Sequence, residues 1–190
     1  MAIMNKKVLV PLAGGFEEIE AVTIIDVLRR AEIEVLIASL NAVMLVEGAN
    51  GIKVEADMAI KDVKADDIDM IVLPGGWGGT HALADDENVQ NILREMDAKG
   101  KNIGAICAAP FALNKAGVLK EKYTCYPSVE EEIQKEGYMG DAQMVVEDAN
   151  VMTSRGPATA LCFGLAIVKK LKGEESYNAL KEGLLASYCN

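Results

Sequence analysis

The chain has 190 residues, 51% hydrophobic and 25% charged, with 17 Gly and 5 Pro; this describes one compact domain, 1–190, and excludes a disordered or collagen-like chain. A chain of this length buries about 70% of the surface its unfolded form exposes, so its core needs neither disulfide nor metal. Nineteen Lys+Arg against 29 Asp+Glu give a net charge of −10 with no basic cluster beyond a pair such as Lys6-Lys7, which argues against nucleic acid as a partner.

In chain order, residues 8–12 form an apolar first strand ending in Ala13-Gly14-Gly15, and 17–31 carry Ile19, Val22, Ile25 and Leu28 at helical spacing. Lys6-Lys7 ahead of that strand mimics a signal peptide only weakly, because acidic Glu17-Glu18 follow the glycines at once; the expectation is a cytoplasmic protein. Residues 34–39 are a second strand, and 43–56, with Gly48 and Asn50-Gly51 in the middle, resemble a hairpin. A third parallel strand, 69–73, stops at Pro74-Gly75-Gly76, followed by a loop through Gly78-Gly79, a helix over 88–99 and a buried strand over 103–106. Pro110 opens a helix that Gly117 ends; 123–126 read as a short strand; Ser128 with Glu131 is a capping-box signature for a helix to Gln134. Residues 144–153 read as a late hairpin, and helices over 158–171 and 174–185 finish the chain. The apolar run 161–168 is far short of the ~18–20 residues that span a bilayer, so no membrane partner is expected. The alternation is that of an α/β domain with a mostly parallel sheet, whose ligands gather at the carboxyl ends of the strands. Those ends are Gly14-Gly15, Pro74-Gly75-Gly76 and Cys107.

The four cysteines, Cys107, Cys125, Cys162 and Cys189, have no C-x-x-C spacing, and His81 is the only histidine. A zinc site lacks ligands at plausible spacing, and in a reducing compartment the thiols read as buried apolar residues or one reactive centre rather than a disulfide framework. Cys162 falls in an apolar helix and Cys189 in a tail expected to be mobile; Cys125 would resolve an oxidised Cys107 only if the two lie close. Ala105-Ile106-Cys107-Ala108-Ala109 has the form small–x–nucleophile–x–small at a strand-to-helix junction, the pattern of a nucleophile elbow. A helix starting straight after the thiol turns its positive end toward the sulfur and favours thiolate. The amides of Gly75, Gly76 and Ala108 are candidates for an oxyanion hole beside it.

Leu9-Val10, Gly14-Gly15, Glu17-Glu18-Ile19-Glu20, Val72-Leu73-Pro74-Gly75-Gly76, Ala105-Ile106-Cys107-Ala108-Ala109-Pro110 and Thr153-Ser154-Arg155-Gly156-Pro157 together resemble the ThiJ/PfpI superfamily, and within it the parkinsonism-associated protein deglycase branch. The match runs in order from about residue 6 to residue 171. The resemblance implies a flavodoxin-like three-layer sandwich of the class I glutamine amidotransferase-like kind and a homodimer. It implies that Glu20, rather than Glu17 or Glu18, donates a hydrogen bond to the Cys107 sulfur; the other two are expected to face water or favour the helix N-terminus. Arg30 and Arg155 correspond to arginines near the family's anion-friendly site and subunit contact, with a surface ion pair as the plain alternative.

Two departures matter. Relatives often carry a histidine before the proline at 127, where this chain has Tyr126, and other branches place one directly after the cysteine, where this chain has Ala108. A cysteine-protease or amidotransferase mechanism therefore lacks its base. His81 reaches the thiol only if residues 77–81 fold over it, and Tyr126 either supplies a hydroxyl or fills space. The resemblance implies a cofactor-free, cysteine-dependent enzyme, a hydro-lyase or hydrolase acting on a small reactive carbonyl: a glyoxalase-type conversion of methylglyoxal to lactate, with protein deglycation as a related activity. The alternative is a non-enzymatic oxidative-stress sensor or redox-regulated chaperone working through oxidation of Cys107.

Overall fold

The computed structural model describes residues 5–189. The elements are β1 (Lys7–Leu12), α1 (Glu18–Arg30), β2 (Glu34–Ser39), β3 (Leu45–Glu47), β4 (Lys53–Glu55), β5 (Met58–Ala59), β6 (Met70–Leu73), α2 (Trp77–Asp85), α3 (Glu87–Ala98), β7 (Asn102–Ile106), α4 (Pro110–Ala116), α5 (Val129–Ile133), β8 (Val145–Asp148), β9 (Val151–Ser154), α6 (Ala160–Lys172) and α7 (Glu174–Gly183). Seven strands form one sheet in the order β5-β2-β1-β6-β7-β9-β8, parallel except for β8 against β9; β3 and β4 pair as a separate antiparallel hairpin. The central strands are buried along their length, as a sheet covered on both faces requires. On one face α1 packs on α6 and α6 on α7; on the other α2, α3 and α4 pack together. This is the α/β three-layer, flavodoxin-like arrangement that the alternation of elements anticipates. From β1 the chain moves outward to β2, then returns to β1's other side with β6, so the strand order switches direction between β1 and β6. A crevice opens at the carboxyl ends of strands at such a point.

Most of the expected elements are present, and four expectations are corrected. Gly78-Gly79 is not a loop but the first turn of α2. Its glycines are there for contact: a Cβ on Gly79 would stand 3.0 Å from the Phe16 backbone, so only a bare helix lies this close to the turn after β1. Residues 123–126 are not a ladder strand. Their backbone groups go elsewhere, with Thr124 N–H donating to Thr153 Oγ1 at 2.9 Å and Tyr126 N–H to the Cys107 carbonyl at 2.9 Å. Ser128 sits at φ 79° and makes no side-chain cap, so the capping box does not form; the Glu131 amide reaches the Ser128 carbonyl instead.

The fourth correction concerns the thiols. Cys162 and Cys189 are joined as a disulfide, with Cα atoms 5.0 Å apart, and both are buried. Gly173, at φ 90°, turns the chain back between α6 and α7, so the tail packs on α6 instead of trailing away. Ala186 is buried there, and the Tyr177 hydroxyl donates to the Cys189 carbonyl at 3.3 Å. No helix among the described residues is long and apolar enough to cross a membrane.

Candidate active site

The turn after β1, the turn after β6 and the end of β7 converge at the switch point. Glu17 caps α1 by accepting the Glu20 amide at 2.8 Å. Glu20 then falls on the helix's buried stripe, in line with Ile24 and Leu28 at steps of four. A carboxyl is thereby driven under the sheet edge, where it is 0% exposed. Spacing alone does not set Glu20 apart, since Glu17 has buried Ala21 and Ile25 at the same steps and Glu18 is also buried; what sets it apart is its place beside Cys107.

Cys107 directly follows β7 at φ 64°, a left-handed conformation uncommon for a residue with a side chain. The surrounding structure holds it there: its amide donates to Ser154 O at 3.0 Å, and its carbonyl accepts from Tyr126 N at 2.9 Å. The sulfur faces the amides of Gly76 and Ala108. The Gly75 amide instead donates to Glu20 Oε2 at 2.8 Å. The three-amide oxyanion hole is thus corrected to two amides at the sulfur and one orienting the carboxyl. Gly75 must lack a side chain, since a Cβ would stand 2.6 Å from Cys107 Cβ and 2.7 Å from Glu20 Oε2. Gly76, at φ 84°, would push a Cβ to 2.4 Å from the Gly15 carbonyl.

Glu20 and Cys107 titrate as a pair. Burial pushes the Glu20 carboxyl up to about 7, against the pull of the Cys107 contact and the Gly75 amide. Burial, and then the negative charge of Glu20, push the Cys107 thiol well above its ordinary range, while the Gly76 and Ala108 amides draw it down. A helix start alone therefore does not make a thiolate here, contrary to expectation. The turn from Cys107 to α4 brings one amide, that of Ala108, and the turn after β6 brings that of Gly76, but burial and then the Glu20 charge outweigh both. Two negative charges side by side are disfavoured in this buried site, so ionisation of either group opposes ionisation of the other. Glu20 Oε1 is buried with no well-formed hydrogen-bond partner, and the thiol is its neighbour.

The remaining candidates divide. Arg30 pairs with Asp26 at 2.7 Å on exposed surface at the far end of α1, about 15 Å along the helix from Glu20, so within one chain it is an ion pair and not a site residue. Arg155 lines a pocket of about 260 Å³ with Tyr126, Pro127 and the turn from Gly156 to Thr159, and its Nε is buried without a partner. Tyr126 is 50% exposed over Gly156, its amide tied to the elbow. The His81 ring stacks on Trp77, centroids 5.0 Å apart, and meets Phe111 in a T-shaped contact at 5.5 Å. Cys125 is fully buried, its sulfur 4.0 Å from Glu130 Oε2.

One supporting residue escapes the sequence reading. Glu18 does not face water: it is buried and accepts the Asn50 amide, the Asn50 side-chain amide at 2.9 Å and the Ile52 amide at 3.4 Å. Burial pushes its carboxyl up, but the Asn50 hydrogen bonds more than offset this and leave it below the usual range. It fastens the β3–β4 hairpin to the helix that carries Glu20. An Asn-Gly turn announces the hairpin, but nothing local announces its anchor.

The model of the DJ-1/PfpI family matches residues 6–170. Protein dj-1beta of Drosophila melanogaster is 41% identical over 186 residues, covering 97% of this chain and 100% of that protein. The glutathione-independent glyoxalase DJR-1.2 of Caenorhabditis elegans is 38% identical over 168 residues, covering 88% and 89%. The crystal structure of Drosophila DJ-1beta superposes with a TM-score of 0.91 at 41% identity, over 96% of this chain and 98% of that one. A family model spanning most of the chain, a relative aligned end to end and a shared fold lead to one conclusion: this chain belongs to the DJ-1/PfpI family.

Proposed function

We propose that the protein is a glyoxalase of the glutathione-independent kind, using Cys107 as nucleophile and Glu20 as proton shuttle on α-oxoaldehydes such as methylglyoxal. The observation that carries this reading is the one-charge Glu20–Cys107 pair, with two amides at the sulfur and a carboxyl titrating near the working pH. The relative from Caenorhabditis elegans bears the name of that activity. The thiol adds to the aldehyde carbon, forming a C–S bond and a hemithioacetal. Glu20 takes the proton from that carbon and returns one to the neighbouring carbonyl carbon, so that one carbon is oxidised and the next reduced within the same molecule. Water cleaves the resulting thioester, releasing lactate and restoring the thiol. The Gly76 and Ala108 amides stabilise the oxygen that becomes negative during addition and hydrolysis.

Lactate formation from methylglyoxal in thiol-free, amine-free buffer tests this. Cys107→Ser is expected to fall to background and Glu20→Gln by about 10²–10⁴-fold; normal turnover in either removes the mechanism. A second reading, oxidation of Cys107 as a stress signal, is favoured by the same amides and by Glu20 Oε1, which together offer partners to the oxygens of a sulfinate.

A further inference from the structure

Two helices start at the thiol. α2 begins with Trp77, directly after the Gly76 amide that faces the sulfur, and α4 begins three residues beyond Cys107. They run side by side away from it: Lys115 near the end of α4 pairs with Asp85 at the end of α2. At the thiol end the seam is filled by Trp77, His81 and Phe111. The Trp77 indole lies face to face on His81, interplanar angle 19°, and meets Phe111 edge-on at 5.8 Å between centroids. These contacts fix the indole in place while leaving Trp77 39% exposed. One residue step from an amide in contact with the sulfur puts the Trp77 Cα within about 9 Å of it, a span an indole side chain can cover.

A part-exposed indole held by two ring contacts, one residue from an amide at the Cys107 sulfur, is a surface for a flat group. Its neighbours within the stack are rings, so the platform offers apolar and π surface. We propose that Trp77 determines specificity for α-oxoaldehydes carrying a planar aryl substituent, which lies on the indole while the aldehyde carbon reaches Cys107. This rests on the thiol chemistry proposed above and adds to it which member of the substrate class the site prefers. Aromatic pairs of this kind contribute about two- to tenfold in binding.

Phenylglyoxal and methylglyoxal are compared as substrates of the wild type, Trp77→Ala and Trp77→Phe. The ratio of kcat/KM for phenylglyoxal over methylglyoxal is expected to fall about three- to tenfold in Trp77→Ala, through KM, and to recover most of that loss in Trp77→Phe. An unchanged ratio in Trp77→Ala overturns the proposal. Trp77 is the only tryptophan in the chain, so its fluorescence reads the subsite without turnover or mutation. Mandelate, the aryl product, is expected to change the emission saturably at concentrations where lactate, which shares its hydroxy acid, does not; equal responses overturn the proposal. A wild type that consumes neither aldehyde defeats the thiol chemistry alone, and the mandelate titration still decides the subsite.

Discussion

Cys107 and Cys125 are both buried thiols with a glutamate at hand, yet only one is placed for chemistry. Glu20, beside Cys107, is fully enclosed and oriented by the Gly75 amide; Glu130, beside Cys125, is partly open to water and touches the sulfur at 4.0 Å. Cys107 retains 9% exposure and stands on a left-handed backbone with two amides at its sulfur, whereas Cys125 has none of its surface open. Burial first, and then the charge of Glu130, push the Cys125 thiol up to about 12. A cysteine beside a carboxylate is thus no site by itself. What differs is how far the carboxyl is desolvated and whether the sulfur is open to solvent.

The comparison breaks first if both thiols support turnover. Cys107→Ser is expected to abolish lactate formation, while Cys125→Ser keeps kcat/KM within about threefold of wild type, since the side-chain partner of its sulfur is Glu130 and not Glu20. Graded peroxide followed by peptide mass analysis sharpens the same contrast. Cys107 is expected to gain two oxygens before Cys125 gains any, because it alone combines exposure with amides for the product. Oxidation of Cys125 first would remove the basis of the sensor reading.

Legibility in the sequence followed the same line between local and distant causes. Strand Glu34–Ser39 and helix Pro110–Ala116 with its Gly117 stop were readable to the residue, because periodicity, a first-turn proline and a C-terminal glycine act within their own segment. The elbow at Cys107 was readable for the same reason. Residues 123–126 were not, since their β-like composition is overridden by bonds to Thr153 and Cys107 far along the chain. The disulfide was invisible because the reversal at Gly173 that brings Cys189 onto α6 is a tertiary event. Gly78-Gly79 misled for a related reason: glycine signals a loop locally, whereas here it permits a helix to touch another backbone. A helix over Trp77–Asp85 puts Trp77 and His81 at i, i+4, the spacing of their stack.

A third test addresses the desolvated carboxyl directly. With Glu20 raised to about 7 from an ordinary value of 4.5, the folded state holds a proton that the unfolded state releases. The stabilisation this gives is full below the unfolded value and is lost as pH rises toward and through 7. Glu20→Gln has no such proton to lose. Between pH 5 and pH 8 the wild type is expected to lose about 2.5 kcal/mol of unfolding free energy relative to Glu20→Gln, read from paired urea transitions. Parallel pH dependence in the two proteins would mean that Glu20 stays ionised, and the one-charge account of the pair would be withdrawn.

The smallest effect is expected at the other glutamate. Glu130 makes a long contact to a sulfur from a partly exposed position, and its neighbours in α5 already satisfy the helix start through backbone bonds. Converting it to glutamine removes the charge that adds to burial at Cys125 without opening a cavity or stranding a donor. Glu130→Gln is therefore expected to stay within about 0.5 kcal/mol of wild type at pH 7, again by urea denaturation. A loss of several kcal/mol would show that the Cys125–Glu130 contact is a buried, structured pair after all, and the distinction between the two thiols would then have to rest on access to solvent alone.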